Sequence, residues 1–267
     1  MMKVFFFIAT LLLLSTDLFS QNEKGIFRKD FYEDNFKITI ENNEVDFFSG
    51  GISVTDLKKN KEVFTAKDFY TRYNWDTLID LNNDGSKEFI LDLGTGVNMY
   101  NYNMYLIFDL TRDEIEPLEI HNAELEANVD EIPKIVSYVR LSPAVMGAGY
   151  SFSLRYEDGK LVLETDPDES KVLKSLVPTG EDDLDLINQY EDGLDECAED
   201  SQISIYYEAY ITQQKIVGNE KKGWEFFDKY YKCKNKKEMK AGLKKIVNDN
   251  YSFMTNSNNY KLSSTNY

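Results

Sequence analysis

Residues 88–119 read EFILDLGTGVNMYNYNMYLIFDLTRDEIEPLE, and residues 134–164 read KIVSYVRLSPAVMGAGYSFSLRYEDGKLVLE. Each stretch contains an apolar run, a connection with glycine, an aromatic run, a turn and a short final run that ends in Leu-Glu. The second stretch begins 46 residues after the first. Because short aromatic and β-branched runs between turn residues are typical of strands, the two stretches predict successive units of antiparallel sheet.

Two interpretations of this repetition stay open. A period of 46 residues is similar to that of a β-propeller blade, whereas an ordinary β-meander also fits the small number of identities. Residues 31–66 could supply an earlier, degenerate unit. Two or three units cannot close a ring of about four to eight blades, so we expect an open set of sheets.

Turn residues predict where two of the hairpins reverse. EDGK at residues 157–160 contains Asp-Gly, which suits the tight turns between twisted antiparallel strands. ENNE at residues 41–44 predicts the turn of the first hairpin in the same way.

The last third of the chain has helical patterns. Trp224, Phe227 and Tyr231 follow one another at helical spacing, and four apolar residues of the next segment predict one buried helix face. The residues of that face are Met239, Leu243, Ile246 and Val247.

These patterns predict an α+β fold in which an antiparallel β-sheet of propeller-blade-like repeats, not closed into a ring, precedes a small helical domain. We expect a signal peptide over residues 1–20, a β-rich domain over 21–175, a helical domain over 176–255 and a flexible tail over 256–267.

The N-terminus has the three parts of a secretory signal. Lys3 precedes the apolar stretch at residues 4–15, and Ser20 is a small residue suited to cleavage. An uncleaved anchor is the alternative, and we predict no transmembrane span in the mature chain. The expected location is secreted, periplasmic or cell-envelope.

Charge and cysteine usage narrow the functional classes. A net charge of −17 argues against nucleic-acid binding and is compatible with cations or basic proteins. Cys197 and Cys233 predict one disulfide in an oxidising compartment, with two free thiols as the alternative. They lie in segments of opposite charge, since residues 181–200 contain ten acidic residues and residues 229–245 contain eight lysines.

A loop with calcium-type spacing precedes the first repeated strand. Residues 80–88 read DLNNDGSKE, which places short oxygen-bearing side chains at alternating positions and glycine at the sharpest turn. Calcium takes six to eight oxygen ligands, including backbone carbonyls. The candidate ligands of one structural calcium ion are Asp80, Asn82, Asp84, Ser86 and Glu88.

This loop resembles the calcium loop of FG-GAP and VCBS-type β repeats. An EF-hand would need a glutamate at position 12, where this chain has Leu91, and an apolar strand rather than a helix follows. The resemblance covers about fifty residues and implies that calcium shapes a loop without taking part in chemistry. An Asx-rich turn without an ion is the alternative.

A second candidate site combines tyrosine and asparagine. These side chains suit the recognition of sugars or peptides, because the ring has a flat apolar face and the amide forms hydrogen bonds. Packing on the core is the alternative. The candidate binding residues are Asn98, Tyr100, Tyr102 and Asn103.

Catalytic motifs are missing from the sequence. His121 is the sole histidine, and the chain contains no G-x-S-x-G, Walker or dinucleotide motif. We therefore expect a non-enzymatic, calcium-stabilised binding protein for an unknown protein or glycan. A hydrolase of polysaccharide or peptide that uses carboxylates is one alternative, and an envelope inhibitor or immunity-type protein is another.

Overall fold

The structure of the chain is a computed structural model. Contacts divide it into two compact units, and the sequence boundary between them lies between residues 71 and 72. The structure describes residues 26–43, 50–69, 72–94, 103–112, 114–127, 132–141, 149–165, 197 and 203–262.

The first unit contains one four-stranded antiparallel sheet in the order β1-β2-β3-β4. Inward-facing residues alternate along the strands, as in Ile38 and Ile40 of β2 and Ile52 and Val54 of β3, and all four are buried. The strands are β1 (Ile26–Glu33), β2 (Phe36–Asn43), β3 (Gly50–Asp56) and β4 (Lys61–Phe69).

The first hairpin turns at Asp34 and not at ENNE, so that prediction was wrong. Glu33 pairs with Phe36, and Asp34 has a φ of +49°, which aspartate tolerates better than most residues. Glu41 instead lies within β2 and forms an ion pair with Arg28 across the strands at 2.8 Å. Glu41, Asn42 and Asn43 are the last residues of β2 and pair with β1, so the first hairpin cannot turn there.

The second unit begins with two four-stranded antiparallel sheets that each use consecutive strands, in the orders β5-β6-β7-β8 and β9-β10-β11-β12. These sheets and the first unit's sheet are all open, which confirms the expected α+β class. The strands are β5 (Arg72–Ile79), β6 (Glu88–Gly94), β7 (Asn103–Phe108), β8 (Leu118–His121), β9 (Ala123–Glu126), β10 (Lys134–Arg140), β11 (Gly149–Glu157) and β12 (Lys160–Leu163).

The two sheets keep the spacing seen in the sequence. β10 begins 46 residues after β6, and β11 begins 46 residues after β7. The predicted turn of the last hairpin is confirmed, because Glu157 pairs with Lys160 and the intervening Asp158 and Gly159 have φ values of +48° and +77°.

A single residue, Asn122, connects β8 of the second sheet to β9 of the third. Asn122 has a φ of +50°, and its backbone N–H donates to the carbonyl of Asn103 in β7 while its carbonyl accepts from Tyr138 in β10. The carboxamide of Asn103 forms a hydrogen bond with both the N–H and the carbonyl of Ala123. The seam between β8 and β9 is thus fixed by two asparagines.

The described residues after β12 form three helices, of which the first packs on β11. The buried Gln213 accepts a hydrogen bond through Oε1 from the N–H of Ser151, at 2.9 Å. The helices are α1 (Ile203–Ile216), α2 (Glu220–Tyr230) and α3 (Lys236–Thr255), and the 3₁₀ helix Ser257–Tyr260 follows them.

The helices enclose an aromatic core of their own. The ring of Tyr207 in α1 lies 5.1 Å from that of Phe227 and 5.6 Å from that of Tyr231, and all three side chains are fully buried. Leu243 and Val247 of α3 complete this core as predicted. The prediction for Ile246 was wrong, because that side chain is 41% exposed.

A disulfide links Cys197, which precedes α1, to Cys233, which follows α2. The sulfur atoms of Cys197 and Cys233 are 2.08 Å apart. The sequence boundary expected between residues 175 and 176, like residues 1–20, lies outside the described residues. Within the described residues, the helices share one compact unit with the second and third sheets.

The C-terminal segment is paired with the second sheet. Lys261 forms an antiparallel bridge with Leu118 of β8, and the N–H of Leu262 donates to the carbonyl of Pro117 at 2.9 Å. Tyr260 is buried, and its hydroxyl donates to the carbonyl of Met254. The part of the expected tail that the structure describes is therefore anchored by pairing and by burial.

None of the three described helices is both long and apolar enough to span a lipid bilayer.

Candidate functional site

The loop between β5 and β6 curls around the carboxylate of Asp80. Its Oδ1 accepts hydrogen bonds from the backbone N–H groups of Asn82 and Asp84, and its Oδ2 accepts one from the N–H of Gly85 at 2.8 Å. Gly85 has a φ of +90°, a conformation that glycine adopts without steric cost. Asp80 thus holds the loop closed through backbone hydrogen bonds, and Gly85 allows the sharp turn that this closure needs.

Asn82 and Asp84 complete this loop. Asn82 Nδ2 donates to Asp84 Oδ2 at 2.9 Å, and Asp84 Oδ1 accepts from the N–H of Ser86 at 2.7 Å. The hydrogen bond from Ser86 is the main reason why the pKa of Asp84 lies below its ordinary value. Four of the five predicted ligands therefore share one hydrogen-bonded turn.

The fifth predicted ligand, Glu88, starts β6 and has only 1% of its surface exposed. Its Oε2 accepts a hydrogen bond from the N–H of Leu81 at 2.8 Å. Burial is the main cause that raises the pKa of the Glu88 carboxyl to about 7, and the charges of Asp109 and Asp84 act in the same direction. A cation next to these acids would stabilise the ionised form of Glu88.

Asp109 belongs to the same acidic cluster, and the sequence motif did not include it. β6 and β7 pair with Phe89 opposite Phe108, so the next position of the register places Asp109 beside Glu88. An acidic residue directly after an apolar strand is the only sequence signal for it. That signal becomes informative once the strand pairing is known.

Asp109 is fully engaged by protein groups. Its Oδ2 accepts a hydrogen bond from the hydroxyl of Tyr156 at 2.7 Å and forms an ion pair with Arg112. Although burial raises its pKa, hydrogen bonds from Thr111, Arg112 and Tyr156 hold the pKa of Asp109 below its ordinary value. These residues line a cavity of about 530 Å³ beside the cluster.

The donor set fits a hard cation by its chemistry. The loop presents carboxylate, carboxamide and backbone oxygens, which are the ligands that calcium prefers. Among the described residues, no three side chains of His, Cys, Asp or Glu group as a metal centre. A calcium ion bound here would be held by the carboxylates of Asp80, Asp84 and Glu88, the Asn82 amide oxygen and the Ser86 carbonyl, and binding would have to draw together acids that are not grouped in this structure.

The predicted tyrosine and asparagine site is described only at its end. Asn98, Tyr100 and Tyr102 lie outside the described residues. Asn103 is the first residue of β7, and its carboxamide pairs with the backbone of Ala123 at the seam between the sheets.

The sole histidine lies at the end of β8, in a different part of the second unit's surface from the loop. His121 Nε2 forms a hydrogen bond with Glu119 Oε1 at 2.6 Å, and Ser137 Oγ donates to the backbone carbonyl of His121. These residues line a separate cleft with Phe253 and Tyr260.

Comparison of the chain with protein-family models, with curated proteins and with solved structures finds no match.

The raised pKa of Glu88 predicts that stability depends on pH when calcium is chelated. Between its ordinary value of 4.5 and about 7, the folded protein binds more protons at Glu88 than the unfolded chain does. The free energy of unfolding should therefore fall as the pH rises through this window, by about 1–3 kcal/mol from Glu88. Urea unfolding in EGTA at pH 4.5 to 8 measures this fall.

The matched variant is Glu88→Gln, which cannot ionise but retains an oxygen that can accept from Leu81. We expect it to lose less stability than the parent over the same pH range. Identical pH profiles for the two proteins would contradict a buried, titrating Glu88.

Proposed function

We propose that the chain is an exported binding protein whose Asp80–Glu88 loop holds one calcium ion that stabilises the second unit. The supporting observation is the buried carboxyl of Glu88, which lies beside the acids Asp84 and Asp109. Like charges at close range disfavour ionisation, and a divalent cation reverses that effect. Calcium binding would therefore replace repulsion among these carboxylates by attraction to the ion and so stabilise the folded state.

A calcium ion in this loop would stabilise the sheet because the loop joins two of its paired strands. The loop joins β5 to β6, and β6 is an inner strand of its sheet with every residue buried. A cation that links Asp80 to Glu88 would fix both ends of the loop at the start of this strand. The acids themselves are occupied by backbone N–H groups and by Tyr156, which supports a role in binding and stability rather than in catalysis.

Calcium should raise the thermal stability of the whole chain. The protein for this test is expressed in an oxidising compartment, so that the disulfide between Cys197 and Cys233 is retained. Because only the folded loop gathers the ligands, stabilisation should reach about 2.7 kcal/mol at a hundredfold excess over the dissociation constant. Thermal unfolding in a calcium series and in EGTA measures it. Asp80→Ala and Asp84→Ala should remove the difference between the two conditions.

Asp249→Ala is the matched control, because it deletes an exposed carboxylate of α3 outside the loop. It should respond to calcium as the parent does. If calcium and EGTA give the same unfolding curve for the parent, the loop is an Asx turn and the proposal fails.

A further inference from the structure

A cleft of about 390 Å³ lies in the second unit between β8, β10 and the C-terminal segment. This volume falls in the range of about 300–1,000 Å³ that small-ligand sites occupy. Its lining is distinct from the calcium loop and combines one exposed ring with several planar polar groups. The residues that carry the argument are Glu119, His121, Arg140, Phe253 and Asn259.

The aromatic ring of Phe253 is not buried in the hydrophobic core. Its side chain is 55% exposed, whereas the next residue, Met254, is buried. The centroid of the Phe253 ring lies 6.3 Å from that of the buried Tyr260 ring, in an edge-to-face arrangement. The backbone carbonyl of Phe253 accepts a hydrogen bond from Asn259 Nδ2 at 2.9 Å. The exposed face is therefore held in place before any ligand binds.

Two polar side chains of the cleft, Glu119 and His121, hold each other in place. Glu119 and His121 lie two positions apart on β8, on the same face of the strand, and hydrogen-bond to each other at 2.6 Å. Each keeps further capacity, since a carboxylate has a second oxygen and an imidazole a second nitrogen. Arg140 contributes a planar cation at the end of β10.

We propose that this cleft binds a saccharide, which rests on the proposed function as a binding protein and specifies its ligand class. A pyranose ring has an apolar C–H face that packs on an aromatic ring, and its hydroxyl groups both donate and accept hydrogen bonds. Phe253 supplies the flat apolar surface, and Glu119, His121 and Asn259 supply acceptors and donors. The buried Ile120 and Phe152 form apolar parts of the lining.

The structure favours a sugar over an extended peptide at this place. A peptide strand would bind most simply by pairing with the edge strand β8. Lys261 and Leu262 already pair with Leu118 and Pro117 there. The net charge of −17 also disfavours nucleic acid.

The test uses the whole chain on an array of immobilised neutral and uronic-acid oligosaccharides, with a peptide array beside it. We expect binding to at least one saccharide class, weakened at least tenfold in Phe253→Ala and retained in Phe253→Trp. Ile246→Ala is the matched control, because it removes another exposed apolar side chain of α3 outside the cleft. It should bind as the parent does.

Three outcomes would overturn the proposal: no saccharide bound by the parent, saccharide binding that persists in Phe253→Ala, or peptide binding that Phe253→Ala abolishes. Asp84→Ala is tested on the same saccharide array, at a temperature below its melting temperature, to separate the calcium proposal from the cleft assignment. If calcium fails to stabilise the chain but Phe253-dependent saccharide binding remains, only the calcium proposal is lost. If calcium stabilises the chain and the array shows no such binding, only the cleft assignment is lost.

Discussion

Replacing Tyr207 with alanine is expected to lower the free energy of unfolding by about 3–5 kcal/mol, as for other large aromatic side chains in cores. Tyr207 is fully buried and lies within 6.0 Å of the rings of Phe226, Phe227 and Tyr231. Its removal deletes edge-to-face contacts and leaves a cavity between α1 and α2. Urea unfolding followed by tryptophan fluorescence measures the loss, because Trp224 lies 6.3 Å from Phe227.

Tyr207→Phe is the matched control, since it retains the ring and removes only the hydroxyl. Its effect should be less than that of alanine by at least about 2 kcal/mol. If the alanine variant loses less than about 1 kcal/mol, Tyr207 does not occupy the centre of the helical core.

Preventing the disulfide should cost roughly 3–4 kcal/mol of stability. Cys197 and Cys233 are 36 positions apart, and a cross-link that closes a loop of this length restricts mainly the unfolded chain. Cys197→Ser is the suitable change, because Cys197 is exposed whereas Cys233 is buried in the helical core. Urea unfolding without reductant compares the variant with the parent.

Reductant provides the control for this experiment. It should lower the stability of the parent to about that of Cys197→Ser and leave the variant unchanged. A parent protein with two reactive thiols after unfolding without reductant would show that the disulfide does not form in solution.

The strands of the second unit could be predicted because their pattern is local. Apolar and aromatic runs, glycine connections and the Asp-Gly turn at residues 158–159 all act between neighbours in sequence. The ENNE segment shows the limit of this approach. Asparagine and glutamate occur in turns and also in strands, and only the pairing of β2 with β1 decides between the two.

The candidate site was predictable as a loop but not as a three-dimensional cluster. Asp80 to Glu88 follow a contiguous spacing, whereas Asp109 joins them through the pairing of β6 with β7. Tyr156 reaches Asp109 from the next sheet. The cleft near Phe253 depends on contacts between β8, β10 and residues more than a hundred positions later, and no periodic pattern encodes such distances.

The pairing of Lys261 with Leu118 has a consequence for the behaviour of the chain at high concentration. β8 ends its sheet, and an uncovered terminal strand offers free N–H and carbonyl groups to a second molecule. Lys261 and Leu262 occupy part of that strand and so reduce its capacity to pair with a second molecule. Removing Lys261 and Leu262 would uncover this part of β8, and we expect the shortened chain to be less soluble at high concentration.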